Sequence, residues 1–473
     1  MSEQTAADVI VVGGGLAGSV AAVRAAELGL AVMLIEKGEG DRYPCNTRQS
    51  GGVFHIAMNE VKAPAERLRG VIETATGGLA DAAQAATMAA GAGTLVDWLR
   101  AQGGLFIRGP AAWQSHILAP PRPIAAGVDW VGRGPDVLLR KLAERLAALG
   151  GKRLLGTSAS ELIVVGNQVA GVVARWGTET LRLPARAVVL ADGGFQSNIE
   201  MVRKHIAPAP ERLKQRGGAT GMGAGIAMAA AVGADLVGMD RFYGHLLCRD
   251  AMTSDKVWPY PELDALATAG LVVDASGQRI TDEGVGGVAL ANALARMPDP
   301  LAFTVVFDRK IWEGPGKSAR IPANPTLEGA GATIHRASDV AALAASAGID
   351  AGGLADTIAV YNAAVAAGST AALMPARSAA IAPMAIGGGP FMAIPLAVGI
   401  TYTMGGVRID GRSRVLRSDG AAIAGLYAAG ATTGGLEGGP RSTYLGGLVK
   451  AGTQALAAAA DLAAALGKGG RTA

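Results

Sequence analysis

The stretch DVIVVGGGLAGSVAAVRAAELGLAVMLIEK, residues 8–37, restricts the fold more than any other part of the chain. An apolar run, Val9 to Val12, leads into Gly13, Gly15 and Gly18 at G-x-G-x-x-G spacing. An alanine-rich helical segment follows, then a second apolar run ending at Glu36. Each glycine has its own reason to be there. Gly13 permits the tight strand-to-helix turn, Gly15 lets a pyrophosphate approach the backbone, and Gly18 lets helix and strand pack closely. The helix opens at Leu16 and Ala17 with free N–H groups and partial positive charge, which suits phosphate. Glu36 ends the second strand where it can accept hydrogen bonds from an adenosine ribose. In a chain with 69 glycines the triplet alone would mean little; the order strand, triplet, helix, strand, acid marks a dinucleotide site.

At 473 residues the chain suits two or three packed units with sizeable cores. Its net charge of +4 is spread without a basic block and aromatic residues make up 4%, so no nucleic-acid partner is expected. Cys45 and Cys248 are the two cysteines, neither in a C-x-x-C pair, which argues against disulfides and against a metal site. The N-terminal MSEQTAAD lacks the basic start and apolar core of a signal peptide, so a cytoplasmic location is expected. No charge occurs between Arg377 and Arg408, but Pro383, Pro390 and Pro395 interrupt the segment beside Gly387 to Gly389. A membrane helix would break there, and the expectation is irregular, deeply buried backbone with no membrane span.

Helices are expected over 81–101 and 136–148, and short strands from Leu154 with a turn at Gly166-Asn167. A buried strand over 185–195 ends in a glycine pair. From about Phe242 to Ile394 prolines rise and a polar strand-turn unit appears, LVVDASGQRITDEG, as in a domain inserted between halves of a nucleotide-binding one. Near the end, Tyr444-Leu445-Gly446-Gly447 opens a long helix, LVKAGTQALAAAADLAAAL. Such a glycine-rich helix start can aim N–H groups at an anionic ligand, for example the N1–C2=O edge of a reduced flavin.

Five segments occur in one order: DVIVVGGGLAGSVAA, AVVLADGGFQSN, GQRITDEG, ITYTMGGVRID and GLYAAGATTGG…YLGG. That order resembles the flavoprotein family of fumarate reductase and succinate dehydrogenase, and most nearly the branch of tricarballylate dehydrogenase and the 3-ketosteroid dehydrogenases. The resemblance implies an α/β fold: a doubly wound, Rossmann-like FAD-binding domain (residues 1–240 and 396–473) interrupted by an α+β capping domain (residues 241–395). It also implies hydride transfer between flavin N5 and a carbon next to a carbonyl or carboxylate. Carried onto this chain, Gly13, Gly15, Gly18, Glu36 and Lys37 match the ADP-binding positions. Asn46, Thr47, Ser50, Gly51 and Gly52 match the loop along the pyrophosphate and flavin. Ala159 falls at the adenine, and Ala191, Asp192 and Gly193 at an A-T-G-G position. Gly430, Gly446, Gly447 and Leu448 match the flavin-ring end. His245 takes the place of a substrate-binding histidine.

The departures bear on the substrate. Where soluble fumarate reductases carry the arginine that protonates substrate, this chain has Gly287. Thr401-Tyr402 replace a histidine pair before T-M-G-G, and Tyr444 replaces the arginine before the final L-G-G. Those changes argue against a fumarate reductase. Tyr402 and Tyr444 are the expected catalytic groups, polarising a carbonyl or moving a proton, with His245 orienting the substrate. Arg441, Arg249 and Arg122 are candidate carboxylate clamps. Two or more of them in the pocket favour a polycarboxylate, and none favours a neutral enone. FAD is expected to be non-covalent, since His55 in SGGVFHIA is not in the family's attachment motif. The resulting expectation is an FAD-dependent oxidoreductase acting on CH–CH bonds, of the desaturating kind, working with an unidentified electron acceptor or donor. An enoate or enone reductase and a non-catalytic redox sensor are the alternatives.

Overall fold

The computed structural model describes residues 7–468. Five strands form a parallel sheet in the order Lys152–Leu155, Val32–Glu36, Ala7–Val12, the second half of Glu179–Leu190, and Ala422–Ala428. Val9, Ile10 and Val11 are fully buried, as expected where both faces of a parallel sheet are covered. Helices Leu16–Glu27, Ala82–Ala101, Gly134–Ala148 and Gly447–Ala465 cover one face. On the other, Ile10, Val12, Ile35 and Val188 meet helix Ala224–Ala231 and an antiparallel ribbon. The ribbon is built from Thr157–Val165, Gln168–Trp176 and the first half of Glu179–Leu190. Its turn is the two residues Gly166-Asn167, with Gly166 at a positive φ that glycine adopts without strain.

Strand Glu179–Leu190 serves two partners in succession, antiparallel to the ribbon through Pro184 and parallel to Ala7–Val12 from Ala185. The proline stands at the changeover, where its missing N–H disturbs the ladder least.

A second sheet holds Lys214–Gln215, Phe391–Thr403, Thr304–Asp308 and Leu271–Val273, with Phe242–Cys248 and His335–Ala337 also pairing to Phe391–Thr403. This corrects the irregular backbone expected across 377–408: residues 391–403 are a 13-residue strand at the centre of the sheet. Pro395 is accommodated by the same device as Pro184, since pairing to Thr304–Asp308 ends there and pairing to Phe242–Cys248 begins at Leu396. Burial on both sides removes the alternation that marks a strand in sequence. Among the described residues no helix is long and apolar enough to cross a membrane.

Candidate active site

One elongated cavity of about 420 Å³ runs from the C-terminal edge of the parallel sheet to the second sheet. Its walls include Gly13, Gly15, Leu16, Ala17, Glu36, Lys37, Asn46, Thr47, Ser50, Gly51, Ala159, Ala191, Asp192, Gly193, Gly430, Gly447 and Leu448, which the sequence places at a cofactor. Glu36 braces the turn: its Oε2 accepts from the Gly14 N–H at 2.6 Å and Oε1 from the Gly38 N–H at 2.8 Å. Thr47 Oγ1 accepts from the Leu16 N–H at 3.0 Å, and Lys37 Nζ donates to the Thr220 carbonyl. Asn46, on the short helix Asn46–Gln49, reaches the second sheet, accepting from the Gly218 N–H at 2.7 Å and donating to the Thr401 carbonyl at 2.9 Å. Asp192 accepts from the Gly225 N–H, and burial pushes its carboxyl above the usual range.

Gly18, Gly52 and Gly446, also expected at the cofactor, are not among the residues that line the cavity. A Cβ on Gly18 would lie 1.8 Å from the Gly13 carbonyl, and one on Gly446 would lie 2.2 Å from the His55 carbonyl. Gly52, at φ +68°, packs against Leu118 and Pro135. All three shape the turns that present their neighbours.

These walls fit a dinucleotide. Two helices, Leu16–Glu27 and Gly447–Ala465, start at the cavity with no acidic residue in the first turn and no side-chain cap. The Leu16 and Gly447 amides meet Thr47 and Tyr444, and the next N–H groups, of Ala17 and Leu448, are available to an anion. Gln196, also on the wall, has a buried Oε1 without a donor. His55 lies off the wall, burial lowering its pKa to about 4, with its ring edge-on to Tyr444 at 5.6 Å.

At the other end Tyr402, Tyr444, Tyr243 and Tyr260 gather. Tyr402 lies on the long central strand, and its hydroxyl donates to Glu437 Oε2 at 2.9 Å. Glu437 Oε1 accepts from the Leu445 and Gly446 N–H groups at 2.9 and 3.3 Å. Lys450 Nζ lies 3.4 Å from Glu437 Oε2 and donates to the Thr433 carbonyl at 3.1 Å. Glu437 and Lys450 are an enclosed ion pair, their side chains 0% and 1% exposed. Burial lowers the Lys450 pKa. Tyr444 is held differently: its oxygen accepts from the Gly447 N–H at 3.2 Å, and its ring stacks on Tyr243 at 3.9 Å. Burial raises the pKa of both Tyr402 and Tyr444, so each stays a phenol.

Three other expected residues fall elsewhere. His245 is not on the cavity wall; its Nδ1 pairs with Asp264 Oδ2 at 2.6 Å and its ring meets Tyr243 edge-on. Asp264 also fills the space over Gly287, where a Cβ would come within 2.0 Å of its Cγ. Arg249 donates to the Phe303 carbonyl at 3.1 Å, away from the cavity, and Arg441 is exposed. Strand direction and loop curvature separate these side chains from neighbours close in sequence. Arg122 is buried, with its guanidinium 5.2 Å from the Tyr260 ring. Sequence reasoning missed Glu437, Lys450, Arg216, Tyr243 and Tyr260. Glu437 is a lone acid in a glycine-rich loop, and Lys450, Tyr243 and Tyr260 sit on a helix, a strand and a proline-flanked turn with no local pattern that marks them out.

Residues 8–443 match the model of the FAD binding domain family. The NADH:fumarate oxidoreductase of Klebsiella pneumoniae is 28% identical over 462 residues, covering 92% of this chain and 45% of that protein. The urocanate reductase of Eggerthella lenta is also 28% identical, covering 91% of this chain and 70% of that protein. The crystal structure of 3-ketosteroid delta1-dehydrogenase from Sterolibacterium denitrificans superposes with a TM-score of 0.73 at 22% identity, covering 97% of this chain and 100% of that one. The chain thus spans less than half the length of the Klebsiella relative. With its cradle of two helix starts and its family match across most of the sequence, this chain belongs to the FAD binding domain family, and its cofactor is FAD.

Proposed function

We propose that the chain is an oxidoreductase that desaturates a CH–CH bond next to a carbonyl or carboxylate, with residues 241–395 forming a cap over the substrate. The observation that carries this reading is the complementary state of two phenols at one end of the cavity. Bound FAD supplies a hydride acceptor, and the chain has to supply a proton acceptor and a group that polarises the carbonyl. The Tyr402 proton is committed to Glu437, so its oxygen presents a lone pair to the cavity. A proton arriving from substrate on that oxygen can be matched by transfer of the phenol proton to Glu437. Tyr444 already accepts from Gly447, which leaves its own O–H free to donate to a carbonyl oxygen. A redox sensor without turnover would have no use for this pairing. The reverse reaction, enoate reduction, uses the same groups, and the names of the Klebsiella and Eggerthella relatives favour it as the second reading.

The test is anaerobic stopped-flow of purified holoenzyme against saturated carboxylates and ketones, following the oxidised flavin band. Bleaching by at least one is expected; no response in either direction across the panel would sink the reading. Fumarate should reoxidise reduced enzyme slowly. Gly287 brings no side chain to that position, and the Asp264 carboxylate over it is held by His245 and the Leu246 N–H away from the cavity wall, so no proton donor stands there; general acids contribute roughly 10²–10⁴-fold. Turnover of fumarate as fast as that of the best panel member would contradict this. The proposed attachment is non-covalent, so acid precipitation should leave the yellow colour in the supernatant. Colour in the pellet would mean covalent flavin.

A further inference from the structure

The helix Gly447–Ala465 carries a lysine where a lysine is disfavoured twice over. Lys450 stands in the first turn, where the helix dipole opposes a cation, and its side chain is 1% exposed, where burial opposes any charge. Burial lowers its pKa accordingly. Nζ is shared between the Thr433 carbonyl at 3.1 Å and Glu437 Oε2 at 3.4 Å. Lys450 nonetheless lies on the cavity wall, with Gly447, Leu448 and Ala451 of the same helix and with Tyr402. Glu437 stands behind that wall and is not part of it.

Stability does not account for the pair, because a buried ion pair can often be replaced by apolar side chains of similar volume at little cost. Its place on the wall gives it a use. Glu36 and Ala159 mark the adenosine end of the cavity, so the ring of FAD belongs at the end that Lys450 and Tyr402 line. Desaturation breaks two C–H bonds and forms a C=C bond. A hydride leaves with its electron pair and reduces FAD. A proton leaves to the Tyr402 oxygen as the phenol proton passes to Glu437. The reduced ring thereby gains one negative charge and Glu437 loses one. Lys450 keeps its positive charge throughout, so the region stays neutral while the partner of the ammonium changes.

We propose that Lys450 is the charge-compensating residue of the reaction, paired with Glu437 while FAD is oxidised and with the reduced ring once Glu437 holds the substrate proton. This rests on the CH–CH oxidoreductase reading and adds to it the residue that couples proton transfer to electron transfer. The Tyr402 hydroxyl, the Leu445 and Gly446 amides and Lys450 all face Glu437, and the charge of Glu437 reaches Tyr444 as well. Glu437 is in turn the charge that acts on Lys450. One proton on Glu437 therefore releases one positive charge to the cavity wall.

The test measures the midpoint potential of the FAD-loaded protein with redox dyes and no substrate. Glu437→Gln copies the protonated acid and leaves Lys450 uncompensated. It should favour reduced over oxidised FAD on the order of tenfold to a hundredfold, a rise of about 30–60 mV for a two-electron couple. Glu437→Gln would then combine a higher potential with slower reduction by substrate, a pairing that loss of structure alone does not produce. Lys450→Met should shift the potential as far the other way, because Tyr402 and two amides still donate to Glu437 and keep it ionised. The double variant, with neither charge, should return to about the wild-type potential. Sulfite adds reversibly to oxidised flavin and leaves the ring negatively charged, so its Kd should fall in Glu437→Gln and rise in Lys450→Met. Equal potentials in a single variant and the double variant would overturn the proposal, since the two differ by one charge. If either single variant sheds FAD, the other against the double variant still isolates one charge. Neither titration contains substrate. No response across the carboxylate and ketone panel therefore fails the oxidoreductase reading, whereas potentials that ignore both charges fail the pairing alone.

Discussion

Glu437→Gln should slow flavin reduction by substrate by roughly 10²–10⁴-fold, the range that general acid–base groups contribute. Four donors converge on this one carboxylate: the Tyr402 hydroxyl, the Lys450 ammonium, and the Leu445 and Gly446 amides. An amide has one oxygen and no charge, so it cannot serve all four or receive the Tyr402 proton. Glu437 acts through Tyr402 and is a positioning residue. The readout that separates this from mere bracing is a cycle with Tyr402→Phe in single-turnover flavin reduction. If the two residues move one proton together, the double variant is no slower than the slower single one. Additive losses would separate the residues and contradict the relay. Glu437→Ala goes further, stranding Lys450 as a buried cation. Breaking a buried pair this way costs about 3–5 kcal/mol, seen as a lower Tm and loss of FAD. If Glu437→Gln instead lowers Tm but leaves single-turnover rates intact, Glu437 only holds the loop together.

Tyr444→Phe should reduce turnover about 10²–10³-fold, the usual cost of removing one donor to a developing oxyanion. The ring stacks on Tyr243 at 3.9 Å, and phenylalanine preserves that contact, so FAD content and Tm should hold. The variant loses the acceptor for the Gly447 N–H, but that amide lines the cavity at a helix start, where water or bound cofactor can take the bond. Tyr402→Phe should cost as much by the proton route. The two differ in how the loss responds to substrate. Reduction by Tyr444→Phe should recover with a substrate whose carbonyl is already activated, such as a thioester, whereas Tyr402→Phe should not. Wild-type rates in both variants, with full FAD, would remove the tyrosines from the chemistry.

The cofactor half of the site was legible because its signals are local. Gly13, Gly15, the first helical turn and Glu36 lie within one strand–helix–strand unit, and glycine stereochemistry with apolar runs suffices to place them. The second helix start at Gly447 was legible for the same reason. Even there, which backbone positions face the cavity escaped: Gly18, Gly52 and Gly446 shape turns and do not line it. The substrate half was legible only in its tyrosines. Arg441 lies three residues from Tyr444 yet points to solvent, while Arg216, more than two hundred residues away, reaches the wall.

What the sequence by itself determined is therefore the nucleotide cradle and the α/β class, since both follow from periodicity and turn geometry within about thirty residues. The tertiary structure alone decided that residues 391–403 form the central strand of the second sheet, that Asp264 fills the place over Gly287, and that Glu437 and Lys450 lie behind Tyr402. It also decided which arginines converge on Tyr260. Each of these depends on contacts between distant segments, and which distant segments meet is set by packing and burial that no short window of sequence encodes.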